Sequence, residues 1–209
     1  MIALVTVAIL GALLAWVLIM FFKKSEPERP AKPQQDLANL KIDGAKVGDS
    51  VSITGAGEDF TDLDFTVDLA KQYEAGRKQW FELTGMFRER RVYVEVLADE
   101  ETEVRAALDG KKLTLDQLGL SEEDLAAMDE RQNPSDSFEY DGANWMYRAS
   151  REVGEFREGQ SVGNGFYRWD FQEDKGKRFL YVKKPQGEPF TATVLRVLNP
   201  GDISVYRGG

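Results

Sequence analysis

The chain has 209 residues, a formal net charge of -9, and neither cysteine nor histidine. Without cysteine it has no disulfide or thiolate metal site, and without histidine it lacks the usual general base and the commonest metal ligand. Zinc hydrolases and enzymes built on Ser-His-Asp or Cys-His groups are therefore excluded. The acidic balance also argues against nucleic-acid binding, because Lys and Arg contacts to phosphate dominate that affinity.

The chain opens with an uncharged apolar segment, residues 2–22, of sequence IALVTVAILGALLAWVLIMFF. At about 1.5 Å per residue, a helix of this length spans roughly 30 Å, the thickness of a hydrocarbon core. A cleaved signal peptide is the alternative, but no basic residue precedes the segment and no small-residue cleavage site ends it. The sequence therefore predicts a transmembrane helix over residues 1–22, in contact with the lipid bilayer through residues 2–22.

The residues after this segment predict the orientation of the chain. Basic side chains occur only after the apolar segment and not before it, at Lys23, Lys24, Arg29 and Lys32. The positive-inside rule then predicts a single-pass protein of the inner (cytoplasmic) membrane, with its C-terminal domain in the cytoplasm. Prolines recur every three residues, at Pro27, Pro30 and Pro33. This spacing favours extended polyproline II geometry and predicts a semi-rigid tether over residues 23–39.

From residue 40 onward, apolar side chains recur at every second position, which is typical of half-buried strands. The alternating sets are Phe65, Val67 and Leu69; Phe81 and Leu83; Val92, Val94 and Val96; Tyr167, Trp169 and Phe171; and Phe190, Ala192 and Val194. Residues 179–182 are apolar on both faces and predict a central strand. Short connections rich in Gly, Asp and Lys suit antiparallel hairpins. We expect a mainly β domain over residues 40–209, either an antiparallel sandwich or a partly open barrel.

One helix is indicated between two strand-rich stretches. Ser121 is a good N-cap, and Asp124 stands three residues later, as in a capping box. Leu120 and Leu125 occupy the positions of a hydrophobic staple. We expect the helix to end near Arg131, within a connection over residues 114–136 that separates approximate halves 40–113 and 137–209.

The two halves resemble each other. KQWFELTGMFRERRVYVEVL in the first is similar to YRWDFQEDKGKRFLYVKK in the second. We infer a degenerate internal duplication in which Trp80 and Trp169 occupy equivalent core positions. Together with Trp145 they could instead form a ligand platform, although aromatic residues in β domains more often pack in the core.

Three carboxylates and one glycine-rich stretch are the candidate functional residues. Glu82, Glu95 and Asp170 lie on strands beside aromatic residues, but a catalytic pair needs a separation of about 5–10 Å that sequence does not give. The stretch GEFREGQSVGNG lacks the Lys-Ser/Thr pair of a phosphate cradle and predicts a mobile hairpin loop. We name a candidate interaction surface and predict no catalytic, cofactor-binding or metal-binding residue. Its members are Glu82, Glu95, Asp170, Gly163, Asn164 and Gly165.

Six segments of residues 40–207 together resemble the bacterial domain of unknown function 4178. They are KVGDSV, WFEL, VYVEV, SFEYDGANWMYRAS, FYRWDF and RFLYV. The resemblance implies no established activity and no cofactor. Members of that family are similar to proteins encoded near phage-shock-like membrane-stress proteins and polyamine-type enzymes. The resemblance therefore implies work at the cytoplasmic membrane surface.

We predict that the chain is not an enzyme but a membrane-tethered cytoplasmic β interaction module. It would recruit or sense another membrane-associated protein, in a setting such as the membrane-stress response. The alternative is an accessory subunit that binds a small cationic ligand, such as a polyamine, through its acidic and aromatic strand surfaces. The sequence does not indicate the oligomeric state.

Overall fold

The structure is a computed structural model that describes residues 40–157 and 163–208. The predicted transmembrane helix and tether, residues 1–39, lie outside these ranges. Within them, no helix has the length and apolar character needed to cross a membrane.

The described residues form eleven strands and two α-helices. The strands are β1 Ser50–Ile53, β2 Leu63–Ala75, β3 Lys78–Phe87, β4 Arg90–Ala98, β5 Thr102–Ala107, β6 Ser137–Tyr140, β7 Ala143–Arg157, β8 Asn164–Glu173, β9 Arg178–Pro185, β10 Thr191–Leu198 and β11 Ile203–Tyr206. The helices are α1 Leu115–Leu118 and α2 Glu122–Arg131. Short 3-10 helices cover Ile42–Gly44, Glu58–Phe60 and Pro200–Asp202. The prediction of a mainly β domain is confirmed.

Every strand pairing in the described part of the chain is antiparallel, and together the pairings join all eleven strands into one sheet. The order is β11-β1-β2-β3-β4-β5-β10-β9-β8-β7-β6. Strand β2 is long enough to hold two partners on one edge: residues 63–66 pair with β1 and residues 71–74 pair with β7. The eight strands from β2 to β7 in this order therefore form a closed circuit of pairings, called the strand ring below.

The ring consists of two runs of four strands, β2 to β5 and β7 to β10, with the same order of hairpins. The first strand of each run contains a register shift, at Val67/Leu69 in β2 and at Tyr147/Ala149 in β7. These shifts provide a common reference for aligning the two runs, strand by strand.

This alignment corrects the expected equivalence of Trp80 and Trp169. Counted from the shifts, Trp80 corresponds to Phe166, and Leu83 corresponds to Trp169. The two aromatic-acidic segments are similar in composition, but the strand register places them three residues out of step. In the next strands of the two runs, residues 92–94 match residues 180–182.

Each run carries an apolar core on the face that points away from the ring interior. In the first core, strands β1, β2 and β11 pack against β3, β4 and β5; its buried residues include Val51, Ile53, Leu63, Phe65, Val67, Leu83, Val92, Val94, Val96, Val104 and Val205. In the second, the two helices pack against β7, β8 and β9; its buried residues include Leu118, Leu120, Leu125, Met128, Trp145, Tyr147, Trp169, Phe171, Leu180 and Val182. Since strand side chains alternate between faces, the neighbours of these residues point into the ring.

Helix α2 agrees with its sequence prediction. The Ser121 hydroxyl accepts a hydrogen bond from the Asp124 backbone N–H at 3.1 Å, and the Asp124 carboxylate accepts one from the Ser121 N–H at 2.9 Å. The helix ends at Arg131, and both staple residues, Leu120 and Leu125, are buried. Helix α1 was not predicted, although Thr114 and Gln117 form a second capping box three residues apart.

Candidate functional site

The three carboxylates predicted to lie on strand faces point into the strand ring. Glu82 and Glu95 are 4% and 1% exposed, and the side chain of Asp170 is 13% exposed. They are not on an exposed strand face, because the strand neighbours Leu83 and Val94 pack in the first apolar core on the opposite side. The ring interior thus has a set of charged residues: Lys71, Glu82, Glu95, Arg151, Glu155, Arg168, Asp170 and Lys183.

Arg168 connects opposite sides of the ring. Its Nη1 and Nη2 donate to the two carboxylate oxygens of Glu95 at 2.6 and 3.2 Å, and its Nε donates to Asp170 at 2.6 Å. Arg151 also bonds Asp170. Burial disfavours the charged guanidinium, but Asp170 and Glu95 outweigh it and hold the pKa of Arg168 well above its ordinary value. For Asp170, burial is outweighed by Arg168 and Arg151, so its pKa is lowered.

Glu82 is less well compensated. Its Oε1 accepts a hydrogen bond from the Tyr73 hydroxyl at 3.1 Å, and the Lys71 Nζ is 3.9 Å away. Burial raises the pKa of Glu82, and the nearby Lys71 charge offsets this only in part. Burial and the charge on Glu82 likewise raise the pKa of Tyr73.

Glu155 is surrounded by three cations. Its carboxylate oxygens are 3.2 Å from Lys71 Nζ, 3.3 Å from Arg157 Nη2 and 4.0 Å from Lys183 Nζ. Burial opposes ionisation, but Lys71 and Lys183 outweigh it, so the pKa of Glu155 lies below its ordinary value. These four charged residues line a pocket of about 520 Å³ together with Asn164, Gly165, Phe166, Pro185, Gln186 and Glu188.

Lys112 reaches the interior from the segment between β5 and α1. Although the residue as a whole is exposed, its ammonium donates to the Thr193 hydroxyl at 2.9 Å and lies 4.0 Å from the centre of the Tyr93 ring. Desolvation of the ammonium lowers the pKa of Lys112 to about 8. The exposed part of Lys112 is therefore not its ammonium group, which packs against Thr193 and Tyr93.

At two matched positions the charges of the two runs are opposite, whereas Lys71 matches Arg151, which has the same charge. In the alignment set by the register shifts, Glu82 corresponds to Arg168 and Glu95 corresponds to Lys183. These two interior positions are thus acidic in the first run and basic in the second. The Arg168–Glu95 ion pair joins one such position of the second run to one of the first run across the ring.

The glycine-rich candidate residues lie elsewhere. Strand β7 extends to Arg157 and β8 begins at Asn164, so Gly154 and Gly165 are paired strand residues and not parts of a loop. Residues 158–162 lie outside the described ranges. Asn164 and Gly165 are exposed and line the pocket at Glu155, whereas Glu82, Glu95 and Asp170 do not line it. The six candidate residues therefore do not form one surface.

The three tryptophans in the described part of the chain are core residues. Trp145, Trp80 and Trp169 are 0%, 6% and 7% exposed. The Trp169 indole N–H donates to the Leu125 carbonyl at 3.0 Å and so joins β8 to α2. This burial agrees with the core interpretation and leaves no exposed platform of these three rings.

One exposed turn, Glu58–Phe60, was not predicted from the sequence. Phe60 is 91% exposed, and both Asp59 and Phe60 have left-handed backbone angles, with φ of 53° and 60°. The adjacent Glu58 carboxylate binds Arg88 at 2.6 Å and Arg90 at 2.9 Å, which links this turn to the β3–β4 turn. The sequence GAGEDF indicates a turn, but an exposed phenylalanine in it has no periodic pattern by which to be found.

No protein-family model matches this chain, and no curated protein or solved structure is significantly similar to it. The resemblance to the domain of unknown function 4178 therefore stays a prediction.

Proposed function

We propose that the chain is a membrane-tethered interaction module whose β domain contacts a partner protein at the inner face of the cytoplasmic membrane. The anchor, the tether and the orientation are sequence predictions for residues 1–39. The observation that carries the proposal is the turn at Phe60, where an aromatic side chain is presented almost entirely to solvent.

The backbone of this turn is costly for the residues that occupy it. A left-handed conformation in a residue other than glycine costs about 1–3 kcal/mol, and strained turns of this kind cluster at functional sites. Exposed ion pairs such as those of Glu58 contribute only about 0–1 kcal/mol each, so they fix the geometry more than they stabilise the fold. A phenylalanine held outward in this way has the character of a contact residue on a functional loop.

The alternative function, binding of a cationic ligand, has less support. Glu95 and Asp170 already bind Arg168 and Arg151, and Glu82 lies beside Lys71. A polyamine would have to displace protein cations from these carboxylates inside the ring. No observation on the described residues favours such an exchange.

We also infer that the two runs of strands derive from one duplicated unit and form a barrel-like body. The shared hairpin order and the matching register shifts support the duplication. The closed circuit of pairings favours a barrel over a sandwich of two separate sheets.

Site-specific photocrosslinking in the full-length chain tests the interaction. A photoreactive residue is introduced at Phe60 and, as a control, at Tyr206, another exposed aromatic residue at 48%. We expect a discrete adduct with a different protein from position 60 and not from position 206. The variant Phe60→Ala should lose that partner in affinity capture and keep its melting temperature, since Phe60 buries almost no surface.

Two results would contradict the proposal. One is the same set of adducts from both positions, which indicates random surface contact. The other is undiminished capture of the partner by Phe60→Ala. An adduct only with a second copy of the chain would replace a foreign partner by self-association.

A further inference from the structure

The pocket at Glu155 has more positive charge than its buried carboxylate can neutralise. Lys71, Arg157 and Lys183 all approach Glu155 within 4.0 Å. Among the lining residues the other carboxylate is Glu188, which is exposed and makes no ion pair with any described residue. Even with Glu188 included, the described residues of the lining comprise three cations and two anions.

The surroundings supply little further negative charge. Glu82 lies 3.9 Å from Lys71, beyond hydrogen-bond distance, and its carboxylate accepts a hydrogen bond from Tyr73 instead. Glu95 and Asp170 provide no further negative charge for the pocket, because they are paired with Arg168 and Arg151. Burial and the positive charge of Lys71 lower the pKa of Lys183, although Glu82, Glu155 and Glu188 act in the opposite direction.

The geometry of the pocket suits an incoming anion. Lys71 and Lys183 approach Glu155 as point charges, and the Arg157 guanidinium, about half exposed, lies beside them. Phe166 forms an apolar wall, with the Lys183 ammonium 4.9 Å from its ring centre. The volume of about 520 Å³ accommodates more than an inorganic ion and falls in the range of small-molecule sites.

We propose that this pocket binds a small phosphate monoester, with its phosphate group among Lys71, Arg157 and Lys183. A phosphate dianion would supply the missing negative charge, and ammonium and guanidinium groups are the usual donors to phosphate oxygens. The remainder of the ligand would lie against Phe166. This assignment is independent of the partner contact proposed for Phe60.

The experiment measures binding to the full-length chain in detergent by calorimetry, with inorganic phosphate, pyrophosphate and glycerol 3-phosphate as probes. We expect glycerol 3-phosphate to bind and its affinity to fall about tenfold in Lys183→Met, as for the loss of one charged hydrogen bond. Arg157→Gln should have a similar effect; because Arg157 is about half exposed, this variant keeps the fold.

Lys184→Met is the matched control. Lys184 is the next residue of β9, where its ammonium lies 4.3 Å from the Phe190 ring centre and outside the pocket lining. Its replacement removes the same charge from the chain and should leave the affinity unchanged. Equal losses in Lys183→Met and Lys184→Met would overturn the site, because they would indicate nonspecific attraction to basic residues.

A second arm separates a soluble ligand from a lipid headgroup. The chain is mixed with vesicles of phosphatidylcholine, with and without phosphatidic acid, after residues 1–35 are removed and the folding of the product is verified. Binding of soluble glycerol 3-phosphate with the expected loss in Lys183→Met supports the pocket. Absence of binding by all three soluble probes overturns it, including the case in which only phosphatidic acid vesicles retain the protein.

Discussion

The Arg168 guanidinium occupies the space between Glu95 and Asp170 and leaves neither carboxylate without a cation. An ion pair this deeply buried is no proof of stability, since desolvation of the two charges offsets their attraction. Removal of one partner is a different matter, because the remaining charge is then buried alone. What the structure shows is that the pair connects β4 of the first run to β8 of the second across the ring.

We expect Arg168→Met to lower the free energy of unfolding by about 3–5 kcal/mol, the usual cost of an orphaned buried charge. Addition of Glu95→Gln should recover part of this loss, because the orphaned carboxylate is gone. Urea denaturation of both single variants and the double variant measures the coupling. Arg91→Met, which breaks an exposed pair with Asp68, should cost less than about 1 kcal/mol. Simple additivity of Arg168→Met and Glu95→Gln would refute the coupling.

Glu82 and Glu155 should give opposite pH dependences. The folded-state pKa of Glu82 is raised above its ordinary value of 4.5, so its contribution to stability is present below pH 4.5 and is lost as pH rises through the raised pKa. The folded-state pKa of Glu155 is lowered from 4.5, so its contribution is present above pH 4.5 and is lost as pH falls through the lowered pKa.

The stability of the wild type relative to Glu82→Gln should therefore decrease as pH rises from 4.5. Relative to Glu155→Gln it should decrease as pH falls below 4.5. Chemical denaturation across this pH range measures both differences. Parallel curves for wild type and Glu82→Gln would show that this carboxyl has no shifted pKa in the folded state.

The residue types of this interior were predictable, but their partners were not. Glu82, Glu95 and Asp170 stand out in the sequence as acidic residues among strand aromatics. Arg168 and Glu95, however, are 73 positions apart, and they meet only because the β2–β7 pairing closes the ring. Sequence periodicity defines two strand faces, and it led us to expect the polar face in solvent.

Some strands and helices could be predicted from the sequence and others could not. Alternation located β2, β3, β4, β8 and β10, and the capping residues located α2. The four-residue strands β1, β6 and β11 are too short for a period-two pattern to stand out. Strand β7 has 15 residues, but many are polar because one face borders the charged interior. The segment MYRASREVGEFR accordingly lacks the expected apolar alternation.

The two tryptophans should respond differently to phenylalanine. The Trp80 indole N–H has no hydrogen-bond partner among the described residues, and the matched position in the second run already holds Phe166. Trp80→Phe should therefore change the unfolding free energy by less than about 1 kcal/mol. Trp169→Phe should cost about 1–3 kcal/mol, because it breaks the hydrogen bond to Leu125.

Thermal melts of both phenylalanine variants distinguish these cases, with the alanine variants as a reference. Alanine at either position should cost about 3–5 kcal/mol, since both side chains are buried. Equal effects of the two phenylalanine variants would contradict the distinct roles of these side chains.

The last strand of the domain, β11, pairs near the start of the described chain, outside the strand ring. Strand β11 pairs with β1, and Val205 is buried in the first apolar core. Arg207 binds the buried Asp49 carboxylate at 3.0 Å. The two ends of the described chain therefore meet, because Leu40 forms a bridge with the same Val205. The C-terminal strand belongs to the first half in space, although it follows the second half in sequence.

Removal of residues 1–35 should leave a folded, soluble β domain, because residues 36–209 form a compact unit of their own. Removal of residues 199–209 should instead destabilise it strongly, since Asp49 would lose Arg207 and β1 would lose a partner. Circular dichroism and thermal melts compare the two truncations. Aggregation or a mainly helical spectrum of the first truncation would contradict the domain boundary.

The Arg168–Glu95 contact also bears on which fragments can associate. Two copies of the first run, joined as the two runs are, would place Glu82 of one copy where Arg168 meets Glu95. Two enclosed carboxylates at that point would repel each other. In two copies of the second run, Arg168 would face Lys183, and Asp170 and Glu155 would offset part of this charge. This contact therefore favours association of the first run with the second, and the covalent link between them holds that ratio at one to one.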